Sequence, residues 1–420
     1  MNLITTLHPA SQASQAWLSN SVLAPHMDAF AAHIEKGRYA ATTTKRYIAG
    51  IAHFARWMTQ SCLPLQMLDE HGVDQFLSHH MARCDCPPPA LLNLPDLRAA
   101  LHHLLNVLRN EGIISERSSP TGHIANELHR YDEHMLKARG LSSGTRHGQL
   151  HVIEKLLLYK FANRPVVIGE LCPNDVHNFI SSQLQLKNTA SYASTLTSAL
   201  RAYLRYRATC GDQVHGLLGV ILSPAHWGLA SLPRALKPIE VERLLASFTP
   251  SLSSYRRGYA IVRCALDMGL RSSEIVNLQL ADIDWGAGTI TLKRTKSLRQ
   301  DILPLPELTG QALAEYVKQE RPMTTSTAVF VRCRAPRDLP LGVNTVRYVI
   351  RDAYHRIGLT HGRSHALRHT LACQLIDHGS SLKEVADVLR HRSLNTSLIY
   401  AKLDASRLGA VALPWPGCSK

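Results

Sequence analysis

The chain has 420 residues, of which 47 are lysine or arginine and 32 are aspartate or glutamate, so its formal net charge is +15 at pH 7. This length allows two or three domains with separate cores, and the excess of positive charge favours a polyanionic partner. The nine cysteines show no regular spacing, which argues against a disulfide framework, and no stretch is long and apolar enough for a membrane helix.

The start of the chain, residues 1–14, lacks both a basic segment and an apolar run. Those two features mark a secretory signal, so we expect no signal peptide. We therefore expect a cytoplasmic protein with reduced thiols and no membrane contact.

Residues 1 to about 230 are predicted to be mostly helical, and they begin with a block of three helices. An amphipathic helix starts near residues 42–47, a shorter helix covers 73–81, and a long helix covers 97–108. We predict that residues 1–118 form a helical N-terminal module.

A second block repeats this order of elements. Its helices start near residues 142–146, cover 173–184 and cover 192–206. The two blocks lie about 100 residues apart, which indicates a duplicated helical unit. We predict that residues 119–228 form the second module.

Basic side chains in the second block are candidate contacts for phosphate groups. A solvated helix face explains each of them equally well. The candidates are Arg146, Lys155, Lys160, Lys187, Arg201 and Arg205.

Two groups of histidines have spacings that invite a metal-binding interpretation. His361, His365 and His369 are four apart, but no glutamate accompanies them in the manner of a zinc protease motif. His79-His80 with Cys84-x-Cys86 is the second candidate, although a polar helix end running into the prolines at 87–89 explains it more simply. We expect no metal ion and no cofactor.

Residues 229–420 carry a series of short elements with polar residues at their ends. A helix over 272–278 follows Arg271, and two strands, 289–293 and 301–305, form a hairpin with Lys296 in its turn.

Further along, Ser364 is a candidate cap for a helix that begins near His365. Gly379 ends that helix, and Ser381-x-x-Glu384 is a capping box for the next one. Asn395 or Thr396 can cap a last helix over 397–403, which carries Tyr400.

The polar residues of this region suit the cleavage of a phosphodiester. Arg271 and Arg368 can neutralise the phosphate with charge-assisted hydrogen bonds, and Glu274 can support Arg271. Tyr400 is the candidate nucleophile, and its phenol needs a base because its pKa is ordinarily near 10.

Three further side chains can move protons or hold the phosphate. His365 is the candidate general base or acid, and His391 is the candidate donor to the phosphate. Lys296 is the candidate acid for the leaving 5′-oxygen. The arginines supply the charge that a metal ion supplies in many nucleases, so the chemistry requires no metal.

Each of these residues has a plainer explanation when it is taken alone. Arg271 could be a surface arginine paired with Glu274, His365 a helix-start histidine, and Tyr400 a core aromatic. Lys293, Arg294 and Arg299 compete with Lys296. The order and spacing of the six candidates together favour the catalytic interpretation.

This set resembles the tyrosine recombinase (phage integrase) family between about residues 232 and 404. The motifs that carry the resemblance are Gly269-Leu270-Arg271-x-x-Glu274, Lys296 before Leu303-Pro304-Leu305, His365-x-Leu367-Arg368-His369-Thr370, and Leu389-x-His391 followed by Thr396 and Tyr400. The chain departs from the family's usual pattern at three positions. Ala366 stands where an acidic residue is common, Arg390 where glycine precedes the histidine, and Asp301 where a basic residue is usual.

The resemblance implies a fold that is mainly α with a small antiparallel β-sheet in the catalytic domain, preceded by helical DNA-binding modules. The second module resembles the family's core-binding domain, which has a SAM-like fold, and the first module could be a second such unit. The resemblance also implies a 3′-phosphotyrosyl intermediate, a freed 5′-hydroxyl and independence from ATP.

The expected partner is double-stranded DNA, bound by a homotetramer or by a hetero-assembly with related recombinases. The expected role is integration, excision or transposition of a mobile element. The alternatives are an Xer-type resolvase of chromosome or plasmid dimers, a type IB topoisomerase, and a DNA-binding accessory protein with weak or no catalysis.

Overall fold

The fold is known from a computed structural model. It describes residues 12–114, 122–162, 164–222, 235–293, 300–360, 362–391 and 397–401. Within these ranges the chain is mainly helical, with one small antiparallel sheet, as the sequence predicted. Among the described helices, none is both long and apolar enough to cross a bilayer.

Residues 12–110, here called the first stretch, contain five α-helices. They are α1 (Gln12–Ser19), α2 (Met27–Lys36), α3 (Ala41–Gln60), α4 (Glu70–Gln75) and α5 (Leu94–Asn110). Helix α3 buries Ile51, Phe54 and Met58 on one face because apolar residues recur there at helical spacing. A π-helical turn, Phe76–His80, continues α4 directly.

The middle of the chain, Glu111–Gly228, is a compact unit of its own. Its helices are α6 (His123–Lys137), α7 (Ser143–Phe161), α8 (Pro173–Leu186), α9 (Ala190–Thr209) and α10 (His215–Gly219). The core includes the fully buried side chains of Tyr131, Phe161 and Tyr203. The hydroxyl of Tyr203 donates to the buried carboxylate of Glu127 at 2.9 Å.

Both helical blocks contain the predicted sequence of a long, a short and a long helix. In front of them the structure adds α1 and α2 in the first block and α6 in the second. The duplication stays a prediction.

The last stretch, which begins at residue 235, contains the sheet and the remaining helices described. The helices are α11 (Pro238–Ala246), α12 (Tyr255–Asp267), α13 (Ser272–Asn277), α14 (Glu307–Gln319), α15 (Val343–Arg356), α16 (Ser364–Asp377), α17 (Leu382–Val388) and α18 (Leu398–Ala401). The strands are β1 (Ile283–Asp284), β2 (Thr289–Leu292) and β3 (Asp301–Pro304), in the order β1-β2-β3. Ile290 pairs with Ile283 on one side and with Leu303 on the other.

Two apolar clusters hold this last stretch together. The larger one is centred on α12, whose Ile261, Val262 and Leu266 are buried against neighbouring helices. The smaller one joins α16, α17 and α18 through Leu371, Val385, Leu389 and Tyr400. Helix α18 is therefore fixed by its aromatic side chain to the two helices before it.

The helix ends of this stretch follow the predictions with one exception. Ser381 and Glu384 form the reciprocal capping box at the start of α17, and Gly379 has the positive φ of +88° that ends α16. Ser364 does not cap α16, because it is already the first residue of that helix and the capping position belongs to Arg363. Asn395 and Thr396 lie outside the described residues.

The chain divides into two compact units, and one of them is made of two segments that are separate in the sequence. One unit consists of Met1–Asn110 and Leu229–Lys420, and the other is Glu111–Gly228. Within the first unit, Arg38 Nη1 donates to the carbonyl of Met323 at 3.0 Å. The three-part division at residues 118 and 228 stays a prediction.

Candidate active site

The site is built on the turn that precedes α13. The backbone N–H of Arg271 donates to Glu274 Oε2 at 2.8 Å, and Nη1 of Arg271 donates to Oε1 at 2.6 Å. Glu274 therefore holds both the backbone and the guanidinium of Arg271. It is itself only 3% exposed, so the orientation of Arg271 depends on a buried anion.

Arg390 is the second cation on that anion. Its Nη2 lies 3.0 Å from Glu274 Oε2 and 3.2 Å from the carbonyl oxygen of Gly269. Burial disfavours the charge of Glu274, but Arg390 and Arg271 outweigh burial and hold the pKa of Glu274 below its ordinary value. The backbone of Arg390 has a φ of +52°, a conformation in which glycine is the usual residue.

Arg368 comes to the same place from α16. Its guanidinium is buried and donates to the carbonyl oxygens of Gly269 and Leu389. Burial, followed by repulsion from Arg271 and Arg390, lowers the pKa of Arg368 to about 9. Of the three guanidinium groups, Arg271 and Arg390 form ion pairs with Glu274, whereas Arg368 donates to backbone carbonyls. Asp301 acts on Arg390 as a second anion, so the positive charges here still outnumber the negative ones.

Gly269 allows these cations to converge. Its φ is +57°, and a Cβ added to it would lie 2.8 Å from Leu389 Cδ2 and 3.1 Å from Leu371 Cδ2. A side chain at this position would therefore strain the backbone and clash with α16, which carries Arg368, and with Leu389 at the end of α17.

Tyr400 lies on α18 and is almost fully buried. Its hydroxyl oxygen is 2.6 Å from Nδ1 of His369. Burial raises the pKa of Tyr400 to about 12, and the positive charge of Arg368 works against that increase. The phenol is consequently protonated at neutral pH and already has an imidazole as its hydrogen-bond partner.

His369 is the partner of Tyr400 that sequence reasoning did not assign. Burial lowers the pKa of His369, and His365 and Arg368 lower it further, so the imidazole is neutral at pH 7. The relevant signal was its position four residues after His365 and next to Arg368, because residues four apart share a helix face. His365, the predicted base or acid, is exposed in the first turn of α16.

His391 follows α17 and lies across the Tyr400 ring. The two rings are almost parallel, with centroids 6.5 Å apart. Nδ1 of His391 is 2.6 Å from Ser397 Oγ. Burial, together with Arg368 and Arg271, lowers the pKa of His391 to about 4, so its imidazole is neutral and its Nε2 can serve as a donor when Nδ1 accepts.

Five of the six predicted catalytic residues fall in the described ranges. The structure brings Arg271, Arg368, His391 and Tyr400 together, with His365 next to them on α16. Lys296 lies outside the described residues. The strands that flank it, β2 and β3, pair in the predicted hairpin.

The predicted phosphate contacts of the middle unit have varied surroundings. Arg146, Lys160 and Arg201 bind protein groups, namely Asp132 at 3.1 Å, Asp175 at 2.6 Å and the carbonyl of Ile221. Lys187 lies over the ring of Tyr192, Lys155 is half-buried and Arg205 is exposed. Their role in binding remains a prediction.

The arrangement around Tyr400 has the elements of a phosphoryl-transfer site. It combines a phenol, two neutral imidazoles and guanidinium groups with unbalanced positive charge. Among the residues that the structure describes, the one group of side chains close enough to share a metal ion is elsewhere, at His53, His80, Cys84 and Cys86.

Comparison with known proteins shows which family the chain resembles. A model of the phage integrase family matches residues 234–407. The putative integrase/recombinase y4rA of Sinorhizobium fredii (strain NBRC 101917 / NGR234) is 33% identical over 391 residues, which cover 91% of this chain and 92% of that protein. Tyrosine recombinase XerC of Stutzerimonas stutzeri (strain A1501) is 28% identical over 292 residues, covering 68% of this chain and 94% of that one.

A solved structure shares the fold. The crystal structure of XerH site-specific recombinase bound to palindromic difH substrate, a post-cleavage complex, superposes with a TM-score of 0.55. The match covers 84% of this chain and 99% of that chain at 19% sequence identity.

Proposed function

The chain belongs to the tyrosine recombinase (phage integrase) family, and we propose that it is a site-specific recombinase that cleaves and rejoins DNA through a 3′-phosphotyrosyl link on Tyr400. The observation that carries this proposal is the pairing of the Tyr400 hydroxyl with His369, beside the buried guanidinium of Arg368. A nucleophile, a proton acceptor and a phosphate-binding cation then occupy one site.

The cleavage step follows from these groups. The Tyr400 oxygen attacks the phosphorus while the phenol proton passes to a neutral imidazole, His369 or His365. The bond between phosphorus and the 5′-oxygen breaks, and that oxygen takes a proton from Lys296. Arg271, Arg368 and Nε2 of His391 stabilise the charge on the non-bridging oxygens.

Rejoining is the reverse reaction on a different strand. A 5′-hydroxyl attacks the phosphotyrosyl link and releases the phenol, so the number of phosphodiester bonds is unchanged. The energy of the broken bond is kept in the link, and the reaction consumes no ATP.

The electrostatics favour phosphate as the missing anion. Arg368 has a lowered pKa because it is buried near Arg271 and Arg390, and Glu274 alone does not balance the three cations. A phosphodiester would supply the absent negative charge and strengthen the protonated state of each arginine. Ground-state binding and charge stabilisation in the transition state would then use the same groups.

We propose double-stranded DNA as the partner. The net charge of +15 suits a polyanion, and the XerH structure that shares the fold is a complex with its difH substrate. Exchange between two duplexes requires four cleavages, which is the basis for a homotetramer or a hetero-assembly with related recombinases on DNA.

The biological role that we propose is integration, excision or transposition of a mobile element. The relative y4rA is named a putative integrase/recombinase, and its match covers 91% of this chain and 92% of that protein. The XerC relative matches over 68% of this chain, so about a third of the chain has no counterpart in it. This extra length favours the mobile-element role over the resolution of chromosome or plasmid dimers.

A nicked DNA duplex that carries the end of the native element tests the proposal. The nick lets the cleaved fragment diffuse away, so a covalent protein–DNA adduct should accumulate with the wild-type chain. Tyr400→Phe should form no adduct while its DNA affinity stays within about twofold, because one hydroxyl is lost and no charge changes. Tyr348→Phe, at an exposed tyrosine of α15, is the matched control and should behave as the wild type.

Two outcomes would contradict the proposal. An adduct that survives Tyr400→Phe would assign the nucleophile to another residue. Intact DNA binding without any adduct, on the native ends and on their flanks, would favour a DNA-binding accessory protein.

A further inference from the structure

Four side chains of the first stretch converge in a way that the recombination chemistry does not use. Nε2 of His53 lies 3.2 Å from Nε2 of His80 and 3.3 Å from Sγ of Cys84. Sγ of Cys86 lies 3.7 Å from Nε2 of His80. All four potential ligand atoms are within 4.8 Å of one another.

The four residues come from separate local elements. His53 is in the middle of α3 and fully buried, and His80 is the last residue of the π-helical turn after α4. Cys84 and Cys86 follow in the segment that leads to α5. Single π-helical turns are rare and are frequent at functional sites, since the extra residue redirects the side chains that follow.

We propose that His53, His80, Cys84 and Cys86 bind one zinc ion in a tetrahedral site. Zinc–nitrogen bonds of about 2.0–2.1 Å and zinc–sulfur bonds of about 2.3 Å place tetrahedral ligand atoms roughly 3.3–3.8 Å apart. Three of the six separations between these ligand atoms, 3.2, 3.3 and 3.7 Å, lie in that range or just below it, and all six are within 4.8 Å.

The donor set itself selects zinc. Two imidazoles and two thiolates are the ligands of structural zinc sites, whereas calcium and magnesium prefer oxygen. Two thiolates also balance the charge of a divalent ion, which matters because His53 is fully buried. Four protein ligands leave no open position, so the site is structural and separate from the chemistry at Tyr400.

Neighbouring groups orient the ligands. Nδ1 of His53 is 3.0 Å from the carbonyl oxygen of Leu91, so it carries the proton and leaves Nε2 as the metal ligand. Such a second hydrogen bond is the usual accompaniment of a metal-bound histidine. Phe76 stacks on His80 at a centroid distance of 5.2 Å, which fixes the plane of the second imidazole.

Metal binding would change the protonation of the thiols. Burial and the neighbouring Cys84 raise the pKa of the Cys86 thiol, whereas Arg56 lowers it. Metal binding would therefore release thiol protons, and the guanidinium of Arg56 would face a thiolate.

The site would tie an irregular segment to the core of the first stretch. No α-helix or strand covers residues 84–93, and this segment links the π-helical turn to α5. A zinc ion held by α3 on one side and by Cys84 and Cys86 on the other would fix it. The proposed site differs from the candidate seen in the sequence, because it contains His53 and not His79.

Metal analysis of the full-length chain tests the proposal directly. The protein, purified without chelators and with reduced thiols, should contain about one zinc ion per chain by mass spectrometry. The double variant Cys84→Ser/Cys86→Ser should contain less than about a tenth of that, because both thiolates are lost. Cys62→Ser, at an exposed cysteine of the same stretch, is the control and should keep the metal.

Cobalt gives a second readout that reports geometry. Co²⁺ added to the metal-free chain should produce the intense visible bands of a tetrahedral ion and a near-ultraviolet band from thiolate ligands. Both bands should vanish in the double variant and persist in Cys62→Ser. This titration needs only the wild-type chain, so it remains decisive even when the double variant fails to fold.

Three results would overturn the proposal. They are a wild-type chain that binds neither Zn²⁺ nor Co²⁺ when reduced, a double variant that keeps the metal, and a Cys84–Cys86 disulfide in freshly isolated protein. None of these results affects the adduct formed by Tyr400, so failure of the zinc site and failure of the recombinase proposal are distinguishable.

Discussion

The hydroxyl of Tyr400 and Nδ1 of His369 are 2.6 Å apart, although 31 residues separate them in the chain. The phenol is buried and its pKa is raised to about 12, so its proton must be removed before or during attack. A neutral imidazole at hydrogen-bond distance is the group best placed to receive that proton.

His369→Gln should slow formation of the covalent adduct by roughly 10- to 100-fold, the effect of losing one hydrogen bond to an ionising group. DNA affinity should be unchanged, because glutamine and neutral histidine carry the same charge. Single-turnover cleavage of the nicked duplex measures the rate. His378→Gln, at an exposed histidine just after α16, is the control, and an equal rate in both variants would remove His369 from the mechanism.

Lys296→Ala should be almost inactive on ordinary DNA, because the 5′-oxygen leaves as a poor alkoxide when it receives no proton. A substrate with sulfur in place of that oxygen should restore most of the rate, since a thiolate leaves without a proton. Lys293→Ala, whose ammonium pairs with Asp282 at 2.6 Å, is the matched control and should show no sulfur rescue. Rescue of Lys293→Ala in place of Lys296→Ala would reassign the acid.

Glu274→Gln should destabilise the protein by about 3 kcal/mol, because Arg390 would be left buried without its counter-charge. Urea unfolding measures the change. Glu384→Gln is the control, since it removes the equivalent capping carboxylate from an exposed position, and it should cost about 0.5–1 kcal/mol.

The Arg390 contact can be isolated with a second variant. Arg390→Gly suits the φ of +52° and removes the buried cation. In that background Glu274→Gln should cost at least about 1 kcal/mol less than in the wild type. Equal costs in the two backgrounds would mean that Arg390 and Glu274 do not interact.

Gly269→Ala should cost about 1–3 kcal/mol more than Gly288→Ala. Both glycines have positive φ, +57° and +61°, but a Cβ at Gly269 meets Leu389 at 2.8 Å, whereas a Cβ at Gly288 meets nothing within 4 Å. The difference between the two unfolding free energies therefore reports the clash alone. Equal losses would show that backbone strain, and not packing, requires glycine at 269.

Stability should fall as the pH decreases from about 6.5 to about 4. His103 and His391 have pKa values lowered to about 4, mainly by burial, while the unfolded chain takes up these protons near 6.5. The unfolded state thus binds more protons in this window, and the stability that is complete above it is lost as the pH falls. Urea unfolding at a series of pH values measures the slope.

His103→Gln should make that slope shallower, because one of the histidines with a lowered pKa is removed. His102→Gln, at its exposed neighbour, should have a smaller effect than His103→Gln, because His102 is only the last of the causes that lower the pKa of His103. A His103→Gln slope as steep as that of the wild type would mean that His103 does not contribute to the acid sensitivity.

Local features of the catalytic stretch could be predicted from the sequence. The capping box at Ser381, the hairpin around Lys296 and the end of α16 at Gly379 depend on neighbouring residues, and their outlines agree with the structure. Strand β1 was not predicted, because its two residues are too few to show the alternation of apolar and polar side chains that marks a strand.

Side-chain partners were harder to predict. In the sequence Arg390 was a departure from the usual glycine, but in the structure its guanidinium turns inward to Glu274, 116 residues earlier in the chain. His53 was not considered as a ligand, since it lies 27 residues before His80 on a different helix. Its apolar neighbours on α3 gave it the pattern of an ordinary core residue.

The sequence by itself determined the family, the mainly helical fold and the candidate catalytic set, because those follow from motif spacing and from hydrogen bonds between near neighbours. Only the tertiary structure decided that His369 reaches Tyr400, that Arg271 and Arg390 both pair with Glu274, and that His53 lies with His80, Cys84 and Cys86. These contacts depend on how helices pack, and packing brings together side chains whose separation along the chain carries no signal of their distance in space.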